Sequence, residues 1–182
     1  MRAGLLLLGG AMAATAAFAA MPALAQASEN AVKAAFLPKF ARYIELPEGA
    51  QPGAGEPFYL CIIGRDPFGV LVDKSAGTET IDGHPVAVRR FANTVPEAVA
   101  GCDIAFVGGN EAATAKMLDA LRRQATLTIT DARLGKPRGM IHFALVDGRV
   151  RFHIDEAQAA ASGISISSRL LALAIDVKQR TQ

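Results

Sequence analysis

Hydrophobic and polar positions first form a helical pattern over residues 29–46. Side chains that can share one face recur there every three or four residues, whereas Lys33, Arg42 and Glu45 fall between them. The recurring positions are Val32, Ala35, Phe36, Lys39, Phe40, Tyr43 and Ile44. We therefore expect an amphipathic helix that is kinked at Pro38, because proline lacks a backbone donor; two short helices are the alternative.

Between residues 58 and 131 short apolar runs alternate with amphipathic segments. The runs that predict strands are 58–63, 85–91, 104–107 and 127–130. Helices are predicted to begin at Asp66, Thr94 and Asn110, since each of these can cap a helix, and Asp82-Gly83 predicts a turn. Alternation at this spacing indicates an α/β fold with a mainly parallel, Rossmann-like sheet and helices on both faces.

A C-terminal β-hairpin is predicted by two strand-like runs, residues 140–146 and 149–154, on either side of Asp147-Gly148. Asp-Gly is preferred in the tight type I′ turns that join such strands. Because side chains alternate along a strand, the second strand presents polar residues on one face and apolar residues on the other. The polar set is Arg149, Arg151 and His153, and the apolar set is Val150, Phe152 and Ile154.

Two helices are predicted after the hairpin. Asp155 can cap a helix over residues 156–162, which Gly163 would end, and Ser167 can cap a last helix. The core face of that last helix is expected to consist of Leu170, Leu171, Ala174, Ile175 and Val177.

The N terminus has the features of an exported precursor. Arg2 precedes an apolar, Ala-rich stretch that ends in Ala23-Leu24-Ala25. A basic start, an apolar middle and small residues at the end describe a secretory signal peptide better than a permanent membrane span. We predict that residues 1–25 are removed by cleavage after Ala25, which leaves a single α/β domain over residues 26–182.

Composition and charge then exclude several classes of partner. The chain of 182 residues is 51% hydrophobic with a formal net charge of +2, and the apolar excess lies largely in the predicted signal peptide. A near-neutral chain gives no electrostatic basis for binding nucleic acid or an anionic membrane surface. No later apolar run approaches the roughly 20 residues that a membrane-spanning helix needs, so we expect a soluble exported protein.

Export makes the two cysteines, Cys61 and Cys102, informative. In an oxidising compartment such a pair most simply forms a disulfide. Two buried thiols are the alternative, because cysteine also packs as a small hydrophobic residue. The absence of a C-x-x-C motif disfavours a redox enzyme.

Catalytic and cofactor-binding motifs are scarce. The histidines stand in separate segments without metal-binding spacing; they are His84, His142 and His153. Glycines in residues 64–69 and at Gly108-Gly109 follow strands but complete no nucleotide-binding motif, which favours tight turns over an anion site. Asp131 follows a strand at the edge where catalytic carboxylates often lie, but the sequence fixes no partner for it. We therefore predict no catalytic residue, no metal and no cofactor.

The polar face of the hairpin has two interpretations. Arg149, Arg151 and His153 can form a solvated outer strand whose charges discourage edge pairing. They can also form a recognition surface for an acidic or polar partner, tuned by protonation of His153. The same two interpretations apply to Arg89-Arg90.

Six segments stand in an order typical of one family. They are VKAAFLPKFARYIELP (32–47), LCIIGRDPFG (60–69), DGHPVAVRR (82–90), GCDIAFVGG (101–109), TLTITD (126–131) and GMIHFALVDGRVRFHIDEAQAAASGISISSRLLALA (139–174). In this order and spacing they resemble the YfiR-like periplasmic proteins, over about residues 30–180.

The resemblance implies a periplasmic α/β regulator that binds the periplasmic domain of an inner-membrane diguanylate cyclase and represses it. Such a protein acts in cyclic-di-GMP signalling and biofilm control, and the family pairing carried over to Cys61 and Cys102 would link redox state to regulation. Similar domains occur attached to sensor kinases, so a kinase is a second candidate partner, and a homodimer is also compatible. The alternative function is a periplasmic small-ligand-binding sensor that signals to a kinase or a transporter.

Overall fold

The computed structural model describes residues 20–92 and 100–180, with side chains from Gln26 onward. The strands are β1 Ile44–Glu45, β2 Phe58–Gly64, β3 Thr80–Ile81, β4 His84–Phe91, β5 Ile104–Gly108, β6 Leu127–Asp131, β7 Ile141–Val146, β8 Arg149–Asp155, β9 Ser165–Ile166 and β10 Val177–Lys178. The α-helices are α1 Ala20–Phe36, α2 Val70–Ala76, α3 Glu111–Leu121, α4 Glu156–Ala161 and α5 Ser168–Leu171, and 3-10 helices cover Pro38–Tyr43 and Glu48–Ala50.

An eight-stranded sheet organises these elements in the order β10-β8-β7-β6-β5-β2-β4-β3. Neighbouring strands run parallel except at β7 with β8 and at β3 with β4, which are antiparallel. Strands β1 and β9 form a separate antiparallel pair. The predicted α/β class with a mainly parallel sheet and a C-terminal hairpin is therefore confirmed.

Helices cover both faces of the sheet, as the alternating pattern predicts. Along β2, Leu60 and Ile62 pack into the larger apolar core, to which α1 and α2 contribute. Cys61 and Ile63 point the other way, into a smaller core with the apolar residues of α3. A strand buried on both faces reads as a continuous apolar run, which explains the pattern over residues 58–63.

The prediction of one continuous helix over residues 29–46 is wrong. The α-helix ends at Phe36, and a 3-10 helix begins at Pro38, so the alternative of two short helices describes the structure. Proline removes the N–H that would continue the α-helical ladder. The predicted buried face is also shifted, because Val32 is 43% exposed whereas Lys33 is fully buried.

The C-terminal hairpin has the predicted turn, since Asp147 and Gly148 both adopt positive φ angles, 49° and 71°. Asp155 caps α4 by accepting a hydrogen bond from the Gln158 N–H. The last helix is shorter than predicted, with only four residues in α5. The chain leaves it because the Ile175 N–H donates to the Phe152 carbonyl, after which β10 pairs with β8.

Two further expectations need correction. The helix expected to begin at Asp66 begins at Val70, because the Asp66 carboxylate caps a preceding turn by accepting from the N–H groups of Phe68 and Gly69. Strand β4 begins at His84, one residue before the strand predicted over residues 85–91. The helix predicted to begin at Thr94 and residues 1–19 of the predicted signal peptide lie outside the described residues.

No helix in the described ranges is long and apolar enough to cross a membrane.

Candidate functional site

A buried ion network lies at the carboxyl end of β6. Lys33 on α1 is fully buried, and its Nζ lies 2.5 Å from Glu29 Oε1 and 2.6 Å from Asp131 Oδ2. Glu29 also accepts a hydrogen bond from Arg133 Nε at 2.8 Å, and its Oε2 forms an ion pair with Arg133 Nη2 at 2.6 Å. A buried charge is costly unless it is paired, and in this network each of the four charged side chains lies beside one of opposite sign. It joins α1 to the sheet.

The network keeps Glu29 ionised. Burial favours the neutral carboxyl, but hydrogen bonds from Arg133 and Lys33, together with their charges, outweigh burial and hold the pKa of Glu29 below its usual value. Asp131 is engaged through both oxygens, because Oδ1 accepts from the Arg133 N–H while Oδ2 pairs with Lys33. The carboxylate that the sequence placed at the catalytic edge thus has a structural partner.

A polar cleft of about 590 Å³ opens beside this network, where β2 and β6 end. Its walls include Asn30, Arg65, Asp131 and Arg133. The carboxyl edge of a parallel sheet is where ligands bind most often in open α/β folds. Arg65 is exposed there and forms no ion pair within the described residues, so the cleft presents a free cation.

Glycine at the ends of β2 and β5 is explained by close approach of the two backbones. Gly64 has a φ of +80°, and a Cβ on it would lie 2.0 Å from the carbonyl oxygen of Gly108. The Arg65 N–H donates to that same oxygen at 2.8 Å. This packing favours the interpretation of tight turns that require glycine.

The outer face of the hairpin carries the three predicted partner-binding residues. Arg149 and Arg151 are exposed, and His153 is half-buried. In the antiparallel register Val146 lies opposite Arg149 and His142 opposite His153, so these side chains share one face. Val146 is 42% exposed. We call Val146, Arg149, Arg151 and His153 the hairpin face; it combines two exposed cations with an exposed apolar side chain.

Both histidines on this side of the hairpin are neutral at neutral pH. Burial, with a smaller effect of Arg138, lowers the pKa of His142 to about 4, and the ring hydrogen-bonds to Thr130 Oγ1 at 2.8 Å. The ring of His153 lies 6.4 Å from that of His142, and burial followed by the charge of Arg138 lowers its pKa as well. The positive charge of the hairpin face therefore comes from its arginines.

Cys61 and Cys102 form a disulfide in the structure, with a Cα–Cα distance of 5.8 Å. This is the pairing that the sequence favours. The bond links β2 to the residues just before β5, and both cysteines are buried. It therefore lies within the small core under α3.

The sequence did not reveal the buried network. Lys33 was expected outside the apolar stripe, and lysine is almost never buried without a partner. The spacing of Glu29 and Lys33, four positions apart on a helix, is a signal for an ion pair but not for its burial. Within the described ranges, no three or more His, Cys, Asp and Glu side chains cluster as a metal site would require.

Comparison with models of protein families gives a match. The model of a family described as YfiR/HmsC-like matches residues 30–175. This range contains every strand from β1 to β9 and the whole hairpin. No curated protein matches the chain.

Proposed function

The chain belongs to the YfiR/HmsC-like family, and from this we propose that it is a non-catalytic periplasmic regulator of cyclic-di-GMP signalling. In this proposal it binds the periplasmic domain of a membrane-anchored diguanylate cyclase and holds the cyclase inactive. Loss of the protein would then raise cyclic-di-GMP and promote biofilm formation. The family match supports a regulatory role, and we propose the cyclase as the direct partner.

The observation that carries the binding role is the hairpin face. Arg149 and Arg151 project from one side of β8 into solvent, next to the exposed Val146. Arginine beside apolar surface is a composition enriched in protein interfaces. Two cations on one strand also suit an acidic partner, whose approach they would accelerate and orient. We therefore place the partner-binding surface there.

The disulfide supports an exported location. Disulfides persist in oxidising compartments such as the periplasm and are rare in the cytosol. The bond between Cys61 and Cys102 lies in the core, where it can stabilise the fold that presents the hairpin.

The experiment is a binding assay between the protein and the periplasmic domain of a diguanylate cyclase encoded beside its gene. Arg149→Glu with Arg151→Glu should raise Kd at least about tenfold, because two charge-assisted contacts become repulsive. A matched control reverses Arg122 and Arg123, two exposed arginines at the end of α3, and should leave Kd unchanged.

Cyclic-di-GMP measured in cells provides the functional readout. A deletion strain and the Arg149/Arg151 reversal should both show raised nucleotide, whereas the Arg122/Arg123 reversal should restore the normal level. Absence of binding together with an unchanged nucleotide level would refute the cyclase as partner. If the protein bound the periplasmic domain of a sensor kinase instead, the kinase would be the protein that it regulates.

A second candidate function, a small-ligand sensor for a kinase or a transporter, is supported by the two cavities at opposite edges of the sheet, each larger than about 500 Å³. Ligand pockets usually fall in the range of roughly 300–1,000 Å³.

A further inference from the structure

A cavity of about 570 Å³ lies at the amino-terminal edge of the sheet, where β2, β5 and β6 begin. The loop over residues 49–57 covers one side of it. Besides the exposed Glu56, its lining holds a guanidinium and a buried carboxylate, those of Arg89 and Asp103, and each of these two contacts Tyr59. The two charged groups do not form an ion pair with each other.

Arg89 is held by an aromatic ring instead of a carboxylate. Its Cζ lies 3.2 Å from the centroid of the Tyr59 ring, a cation–π stack. Among the described residues it makes no ion pair, whereas the adjacent Arg90 pairs with both Asp66 and Asp73. Stacking occupies the face of the guanidinium and leaves its N–H edge available. That edge matches a carboxylate in a bidentate geometry.

Asp103 is a buried carboxylate without a cation. It is 8% exposed, and its Oδ2 accepts one hydrogen bond, from the Tyr59 N–H at 2.6 Å. No Lys, Arg or His of the described part of the chain lies within ion-pair distance of it. Burial raises the pKa of Asp103, although the hydrogen bond from the Tyr59 N–H and then the nearby charge of Arg89 oppose that shift. An ammonium group entering the cavity would supply the missing counter-charge.

The disulfide links two of the segments that line this cavity. Tyr59 and Asp103 lie close in sequence to Cys61 and Cys102, and the Asp103 N–H donates to the Tyr59 carbonyl at 3.0 Å. Thr126 adds a hydrogen bond from its Oγ1 to the Cys102 carbonyl. A site whose walls are fixed before the ligand arrives avoids much of the ordering cost of binding.

We propose that this cavity binds a small zwitterion, with the ligand carboxylate on the edge of Arg89 and the ligand ammonium on Asp103. An anion alone would lie close to the buried Asp103 carboxylate, and a cation alone would lie close to Arg89. Only a molecule with both charges, such as a free amino acid, compensates both side chains at once. This site would serve the small-ligand sensor, which rests on the same cavity, and it uses none of the hairpin face, so its failure would leave the proposed binding to a cyclase untouched.

The test begins with each of the common L-amino acids as a separate probe in a thermal-shift assay on the oxidised protein. At a concentration of about 100 times Kd, a bound ligand should raise Tm by several degrees. The tightest binder is then compared by calorimetry with its N-acetyl and its C-terminal amide derivatives, each of which lacks one charge. Both derivatives should bind at least about tenfold more weakly.

Variants locate the site. Arg89→Gln and Asp103→Asn should each weaken binding of that amino acid at least about tenfold. Asparagine keeps an oxygen that can accept from the Tyr59 N–H, so the second variant preserves the local fold. Arg169→Gln is the matched control, because Arg169 is an exposed arginine on α5 that lines neither cavity, and this variant should leave Kd unchanged. Failure of every amino acid to bind, or equal binding by the parent and the two site variants, would overturn the proposal.

Discussion

Lys33 Nζ and Asp131 Oδ2 lie 2.6 Å apart, although 98 positions separate the two residues in the chain. The contact joins the first helix to the last residue of a central strand, and both side chains are buried. Desolvation of two charges offsets much of their attraction, so the net stability of such a pair is small while the cost of breaking it is large. We infer that the pair fixes which face of α1 meets the sheet.

Substitution of Lys33 by Ala should strongly destabilise the fold. It leaves the carboxylates of Glu29 and Asp131 buried beside each other without their shared cation. We expect the free energy of unfolding to fall by about 3–5 kcal/mol. The measurement is urea unfolding of the purified protein, with the midpoint compared at constant m-value.

The control for Lys33 is an exposed ion pair. Arg122 lies 3.5 Å from Asp119, and both side chains are more than half exposed. Arg122→Ala should change the free energy of unfolding by less than about 1 kcal/mol. If Lys33→Ala were equally mild, the buried network would not fix the position of α1.

His142 predicts a dependence of stability on pH. Its pKa in the folded protein is about 4, below the ordinary 6.5. Between these values the unfolded chain binds a proton that the folded chain does not, so stability falls as pH decreases through this interval, by up to about 1.4 kcal/mol per pH unit. His142→Gln should reduce that slope in urea unfolding between pH 6.5 and 4.5, leaving the part due to His153. An unchanged slope would contradict burial of a neutral imidazole.

The disulfide between Cys61 and Cys102 should contribute substantially to stability. It closes a loop of sequence separation 41, for which loss of chain entropy in the unfolded state gives about 4 kcal/mol. Replacing both cysteines by Ala should lower the free energy of unfolding by about that amount, as measured by urea unfolding. Peptide mass spectrometry of protein alkylated without reductant tests the bond itself. Alkylation of both cysteines in periplasmic protein would show that the bond does not form there.

Gly64 should not tolerate a side chain. Alanine there would adopt a positive φ and place its Cβ against the Gly108 carbonyl, so we expect a loss of more than about 2 kcal/mol. Gly49 is the matched control, because a Cβ there meets nothing within 4 Å. Gly49→Ala should leave the thermal midpoint unchanged or slightly raised. Comparable losses at both positions would argue against the close approach of β2 and β5.

Local signals predicted most of the elements. Asn110 caps α3 through a hydrogen bond to the Ala113 N–H, and Asp147-Gly148 forms the hairpin turn. Both outcomes follow from the conformational preferences of one or two residues. The extent of the last helix was not predictable in this way, because Val177 pairs with Ile154 on β8 and a distant strand thereby replaces the helical hydrogen bonds.

The sequence by itself determined the α/β class, the order of the longer strands, the hairpin and the favoured pairing of the cysteines, because each depends on periodicity, turn residues or compartment. Only the tertiary structure decided which polar residues lie inside. Lys33 and Asp131 are unremarkable in their own segments, as are Arg89 and Asp103 in theirs. Burial and pairing depend on which parts of the sheet come together, and contacts across tens of residues leave no local pattern in the chain.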